Sequence, residues 1–176
     1  DVLTSRGLGD VYKRQLSLCS IIDDVVTSAV IIDPVRREEF SAYSGGGANL
    51  NNNKIRSSKQ NSLNDAMLSF KKSTDDSDYE FNKTHKELVN QKLSMRESGC
   101  LSLDLVYVGA GRLDGNWAHD ISLIDMAAGS LIAQEGGALV SNFSGNPKFL
   151  KGNNIISSTA KIYKSVLKSI KPYHSA

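Results

Sequence analysis

The sequence predicts an α/β domain built in layers, with an antiparallel β meander first and strands alternating with helices after it. Three observations predict this. Apolar and β-branched runs separated by turn residues fill positions 16–53. From about residue 65 onward, short apolar runs alternate with segments of helical spacing. A chain of 176 residues, 40% hydrophobic and 23% charged, suffices for one sizeable core.

Residues 1–15 are set aside first. They lack an initial Met, and the stretch Arg6 to Gln15 has no clear helical or strand period. It looks like translated sequencing-adaptor sequence, so 1–15 is taken as a non-native or disordered leader that should pack poorly. Leu16 to Ile22 and Val25 to Ile32 predict two strands joined by a turn at Asp23-Asp24. Pro34 ends the second, because proline has no N–H for the ladder. Glu39 to Tyr43 predicts a third strand. Gly45-Gly46-Gly47 and the Asn-rich Asn49 to Asn53 predict turns. Residues 54–62 are polar and predict a loop.

The second half follows the layered pattern. Asp65 to Phe70 predicts a buried strand, and 71–79 a charged loop. Phe81, Leu88, Val89 and Leu93 are spaced for an amphipathic helix over Tyr79 to Leu93. A short strand is expected at Met95 to Ser98. A helix over Cys100 to Val108 should stop at Gly109 or Gly111. Leu113 to Ala118, Ala138 to Val140 and Asn154 to Ser157 predict strands, with Ser144-Gly145-Asn146-Pro147 as a turn. Asp125 to Gln134 and Ala160 to Ile170 predict the remaining helices.

Bulk properties remove several function classes. A net charge of +2 gives no argument for nucleic-acid binding. No apolar run approaches a membrane span. No secretory signal is visible, and Cys19 and Cys100 are too far apart in sequence for a metal pair or disulfide framework. Buried free thiols in a reducing cytoplasm are expected. Gly109, Gly111 and Gly115 have the wrong spacing for a dinucleotide loop, and they precede a strand instead of following one.

The residue best suited to chemistry is Asp125. It stands where a helix should begin, before Met126-Ala127-Ala128-Gly129. An Asp there caps backbone N–H groups and complements the helix dipole. A carboxylate is also the ligand type that Mg²⁺ prefers, and the small residues behind it allow close approach. The two roles are compatible.

Asp125-Met126-Ala127-Ala128-Gly129, followed by Glu135-Gly136-Gly137, resembles the second signature of the inositol monophosphatase family, with Ile124 in place of the usual Trp and Gly136 in place of Ala. Gly111-Arg112-Leu113-Asp114-Gly115 resembles the Gly-Arg-x-Asp-Gly that precedes it. Arg96, Gly99 and Ser102 fall where the family starts a helix with Arg-x-x-Gly-x-Ala-Ala, and Asp33 to Asn51 resembles the strands after the first signature. The resemblance runs in order from about residue 16 to 174.

That resemblance implies the C-terminal part of an α/β/α/β/α sandwich holding the end of an antiparallel sheet and the whole second α/β layer. It implies a magnesium-dependent phosphoric monoester hydrolase, in which Mg²⁺ activates water for in-line attack on a small-molecule phosphate monoester such as inositol 1-phosphate. Asp125 would be the catalytic, metal-binding aspartate. Gly99, Cys100 and Ser102 would lie at a substrate-facing helix start, and the longer parent would be a homodimer.

Two departures limit this. The first signature, Asp-Pro-x-Asp-Gly-Thr, is absent, and Asp33-Pro34 is followed by Val35-Arg36-Arg37. One remaining carboxylate cannot build an octahedral Mg²⁺ cage, so the chain by itself is expected to be inactive. Ala118 stands where the family commonly has a Glu that contacts sugar hydroxyls. His119 is expected to pack, and Asp114 to shape a turn. The alternatives are a bisphosphate nucleotidase or other sugar-phosphate phosphatase of the same superfamily, and a non-catalytic regulatory or interaction protein.

Overall fold

A computed structural model of the protein describes residues 2–6, 14–71 and 79–173. Residues 1 and 7–13 of the leader, the bulk of the charged loop at 72–78, and the last three residues lie outside the described ones.

Strands β1 (Val2–Arg6), β2 (Leu16–Ile22), β3 (Val25–Asp33), β4 (Glu38–Tyr43), β5 (Gly47–Leu50) and β6 (Asn53–Lys54) form one antiparallel sheet in sequence order. The leader thus contributes a strand where none was expected: β1 pairs with β2 from Val2–Ser20 to Arg6–Leu16. Asp23 and Asp24 have φ of 51° and 61°, the conformation of a two-residue type I′ turn, which Asp tolerates better than most residues. Asn51 and Asn52, at 47° and 65°, repeat the device between β5 and β6. The Asn-rich segment is therefore a strand ending in a turn, not turn throughout. A register shift between Ser20 and Ile21 re-phases the hairpin, so Val26, Ala29 and Ile31 all face inward.

The second sheet has the order β10-β11-β9-β7-β8. Its strands are β7 (Met67–Lys71), β8 (Ser94–Glu97), β9 (Gly115–His119), β10 (Ala138–Ser141) and β11 (Asn154–Thr159). Strand β7 runs parallel to both β8 and β9, whereas β11 is antiparallel to β9 and to β10. The helices are α1 (Tyr79–Asn90), α2 (Leu101–Gly109), α3 (Leu123–Glu135) and α4 (Tyr163–Ile170), with a short 3₁₀ turn after α4. None among the described residues is long and apolar enough to cross a membrane.

Three apolar clusters show the layering. Ile31, Phe40 and Ala48 of the first sheet pack on Leu103, Val106, Ala127, Leu131 and Ile132 of α2 and α3. The other side of those helices, through Leu105, Val108, Met126 and Ala133, packs on Ala118 and Ile155. The far face of the second sheet, with Leu68, Phe70, Trp117 and Ile156, is covered by Phe81 and Leu88 of α1 and by Val166 and Ile170 of α4. Adjacent residues such as Trp117 and Ala118 serve opposite layers because strand side chains alternate. The order is sheet, helices, sheet, helices: four layers of the expected sandwich. Helices α2 and α3 touch nearly backbone to backbone. A Cβ on Gly129 would lie 2.8 Å from that of Leu105, and one on Gly136 would lie 2.4 Å from the Gly109 carbonyl oxygen. Gly136 has an ordinary φ of −73°, so close contact, not torsion, explains glycine there.

Candidate active site

Because β9, β7 and β8 are parallel, their carboxyl ends lie along one edge of the second sheet, where ligands of open α/β sheets usually bind. Lys71, Glu97 and His119 end the three strands there. Both central helices begin at the same edge, α2 following β8 and α3 following β9. Their unpaired first-turn amides and dipoles favour anions there.

Asp125 sits in the first turn of α3, half-exposed, but it is not the cap that its position in the sequence suggested. The N-cap is Ser122, and Asp125 is the third helical residue. Its Oδ2 accepts the Ser122 backbone N–H at 3.2 Å and the Ser122 hydroxyl at 3.0 Å, one half of a capping box. The Ser-x-x-Asp spacing was a signal in the sequence for this arrangement. Lys71 Nζ approaches the same oxygen at 3.7 Å.

Ser102 is almost fully buried, and its hydroxyl donates to the Asp125 backbone carbonyl at 3.0 Å. That bond ties the start of α2 to the start of α3, so the hydroxyl is already engaged within the protein. Gly99 is exposed with φ of +74°, a left-handed conformation that suits glycine. Cys100 is the N-cap of α2, and its backbone N–H is held by the Ser98 hydroxyl at 3.1 Å. Cys19 is buried as expected, and burial pushes its thiol pKa up. Cys100 is only partly buried, which corrects the expectation of two buried thiols. Asp125, Gly99, Cys100 and Ser102 thus share one edge, and Lys71 and Ser122 join them.

Neighbouring motif residues have structural roles. Ala118 is fully buried against the helical layer and offers no polar atom to a ligand. His119 stacks on Phe81 at 5.9 Å and leans on Phe143, as a packing residue would. Asp114 Oδ1 accepts from the Ser58 hydroxyl, and Oδ2 from the Met67 N–H at 2.8 Å. Arg112 forms a bidentate pair with Glu38, at 2.9 and 2.6 Å, and lies over the Tyr107 ring. Glu135, at the far end of α3, accepts the Gly45 and Gly47 N–H groups at 2.7 Å each. Asp33 Oδ1 accepts the N–H groups of Val35 and Arg36, each at 3.0 Å, and Oδ2 pairs with the Arg36 guanidinium. It caps a turn.

The donor set does not fit a divalent cation by itself. Among the described residues no three His, Cys, Asp or Glu side chains converge on a common point. Asp125 contributes a single carboxylate, already facing an ammonium and a hydroxyl, whereas Mg²⁺ demands near-octahedral oxygen ligation. An open cavity of about 400 Å³ lies between the β2–β3 turn and residues 147–151, and its lining does not include Asp125.

Two sheets enclosing a helical layer, with helix starts and a carboxylate gathered at the carboxyl ends of parallel strands, define a layered α/β sandwich with one edge suited to an anionic ligand. The chain belongs to the inositol monophosphatase family, whose model matches residues 16–175. It is 42% identical over 149 residues to the Nus factor SuhB of Pseudomonas aeruginosa, covering 82% of this chain and 55% of that protein. The chain therefore spans about half the length of this relative. Among solved structures it resembles the extragenic suppressor protein suhB of Bartonella henselae, with a TM-score of 0.86 and 27% identity, over 89% of this chain and 61% of the other. It is similar also to the inositol monophosphatase of Anabaena, with a TM-score of 0.84 and 27% identity, over 90% and 64%.

Proposed function

We propose that this chain supplies one half of the active site of a magnesium-dependent phosphate-monoester hydrolase. Asp125 would be one arm of a cation site completed by ligands outside the 176 residues. The observation that carries the reading is the Ser102–Asp125 bond: it brings two helix starts and a carboxylate to the carboxyl edge of parallel strands. The α2 start, with Gly99 and Cys100, would face the anionic substrate. Membership of the family supports phosphatase chemistry. Buried Ala118 disfavours a sugar contact at that position, so inositol 1-phosphate is one substrate to test among other sugar and nucleotide phosphates.

The test compares the 176-residue chain with a longer protein carrying the family's first signature ahead of Leu16. The longer protein should release phosphate from inositol 1-phosphate or a related monoester only with Mg²⁺, and Asp125→Asn should reduce kcat at least a hundredfold. The 176-residue chain should show no turnover. Magnesium-dependent turnover by that chain would sink the half-site reading.

A second reading is partner binding in place of hydrolysis, supported by relatives named Nus factor SuhB and by the lone carboxylate. A biological effect of the longer protein that survives Asp125→Asn would favour it.

A further inference from the structure

We propose that the outer face of α4 is a docking surface for the phosphate backbone of a single-stranded nucleic acid. The inference is independent of the reading of Asp125.

The net charge of +2 conceals an uneven distribution. Between Ala160 and Tyr173 there are four lysines and no acid, so the rest of the chain carries −2. Lys161, Lys164, Lys168 and Lys171 follow one another at intervals of three, four and three residues. Helical backbone continues from Ile162 to Lys171, so this spacing lines them up on one stripe, about 15 Å long. The opposite stripe, Ile162, Val166 and Ile170, is buried in the cluster that holds Phe81, Leu88 and Trp117. All four lysines are exposed, and among the described residues none pairs with a carboxylate.

This pattern works against the helix that carries it. Lys164 and Lys168 repel each other at the i, i+4 spacing. Lys164 also lies in the first turn, at the positive end of the dipole, with no acid there to offset it. A bound polyanion relieves both.

The kind of polyanion follows from what accompanies the lysines. None of the exposed large apolar side chains among the described residues lies on α4, so the helix has nothing to insert into a lipid surface. Arg, whose planar fork suits carboxylates and phosphopeptides, is absent from the segment. Lysine is a point charge, suited to following a backbone without reading sequence. An open groove of about 450 Å³ runs between α1 and α4, with Leu63, Gln91, Lys168 and Pro172 among its lining residues. Glu87, the acid that lines it, accepts a hydrogen bond from the Gln91 amide at 3.0 Å. Bases splayed from the phosphate track have room there, and only a single strand can splay them.

The experiment follows a labelled oligouridylate of about 12 nucleotides binding to the 176-residue chain, by fluorescence anisotropy over a range of salt. Changing Lys161, Lys164, Lys168 and Lys171 together to Gln should weaken binding at least tenfold. It should also flatten the log–log salt slope by about 3, at about 0.7 per lysine. The same four changed to Arg should keep affinity and slope. Lys54→Gln with Arg37→Gln, on the first sheet beyond two intervening layers, should change neither. The Gln variant should melt no lower than the parent, because repulsion on α4 is removed. Lys168→Gln alone should still cost about 0.7 of the slope, which serves if the fourfold variant does not fold. Unchanged affinity and slope in the Gln variants would overturn the proposal. Tighter binding of a duplex of equal length, of phosphatidylserine vesicles or of polyglutamate than of the single strand would overturn it too, in favour of that partner.

Discussion

Asp33 stands in an Asp-Pro pair that the residues after it already separate from the family's first signature, and its hydrogen bonds show what it does instead. Asp-Pro opens the family's metal signature, yet here the carboxylate serves the Val35 and Arg36 amides and the Arg36 guanidinium. Burial pushes its pKa up, but the bonds and charge of Arg36, with the Val35 amide, outweigh burial and hold it below the usual carboxylate value. A depressed folded-state pKa stabilises the protein fully above the unfolded value, about 3.9, and that stability is lost as pH falls through the folded value. Wild-type protein should therefore lose denaturant resistance between about pH 5 and pH 2 more steeply than Asp33→Asn. At pH 7 the variant should be less stable by about 1–3 kcal/mol, read from urea unfolding. Equal slopes in both proteins would show that Asp33 is not the responsible group. Lys71 is the opposite case. Nothing around it in the sequence marks it, because its meeting with Asp125 depends on parallel register across three elements. Ser122 could have been found from its spacing to Asp125.

At the scale of elements, the strongest periodicities were the most legible. Strands β2, β3 and β4 begin and end within a residue of expectation, since alternation and Asp or Pro punctuation coincide there. Helix α1 ends three residues early, at Asn90, because Gln91 and Lys92 turn the chain back into β8. Residues 160–162 form a turn before α4 instead of its first turn. Neither boundary is coded by side-chain type; both follow from how far the chain must travel to rejoin a sheet. Glu135 was legible only as part of a signature. In the folded protein its carboxylate clamps the Gly45–Gly47 turn to the end of α3 with two charge-assisted bonds. Glu135→Ala should cost about 1–3 kcal/mol in thermal or urea unfolding and should speed hydrogen exchange at Gly45 and Gly47. Unchanged exchange at both amides would refute the clamp.

Across the whole molecule, apolar exposure is uneven. Leu16, Ile22, Val25 and Tyr43, each at least 43% exposed, belong to the first sheet, whereas the far face of the second sheet is covered by α1 and α4. The 176-residue chain should therefore bind a hydrophobic dye and self-associate through its first sheet. Amides of β5 and β6 should exchange faster than those of β9 and β11. Uniformly strong protection would contradict this. Layer order was legible as a class, because alternating strands and helices admit few packings, but which face stays open was not. The layering also bears on synthesis. The meander pairs only neighbours in sequence, so its hairpins can close soon after leaving the ribosome. Of the residues that bury its inner face, Leu103 and Val106 follow Lys54 by about 50 positions and Ala127 to Ile132 by roughly 70. At about 5–20 residues per second, the nascent sheet waits about 4–14 seconds before its cover is complete, an interval in which a chaperone has a defined surface to hold.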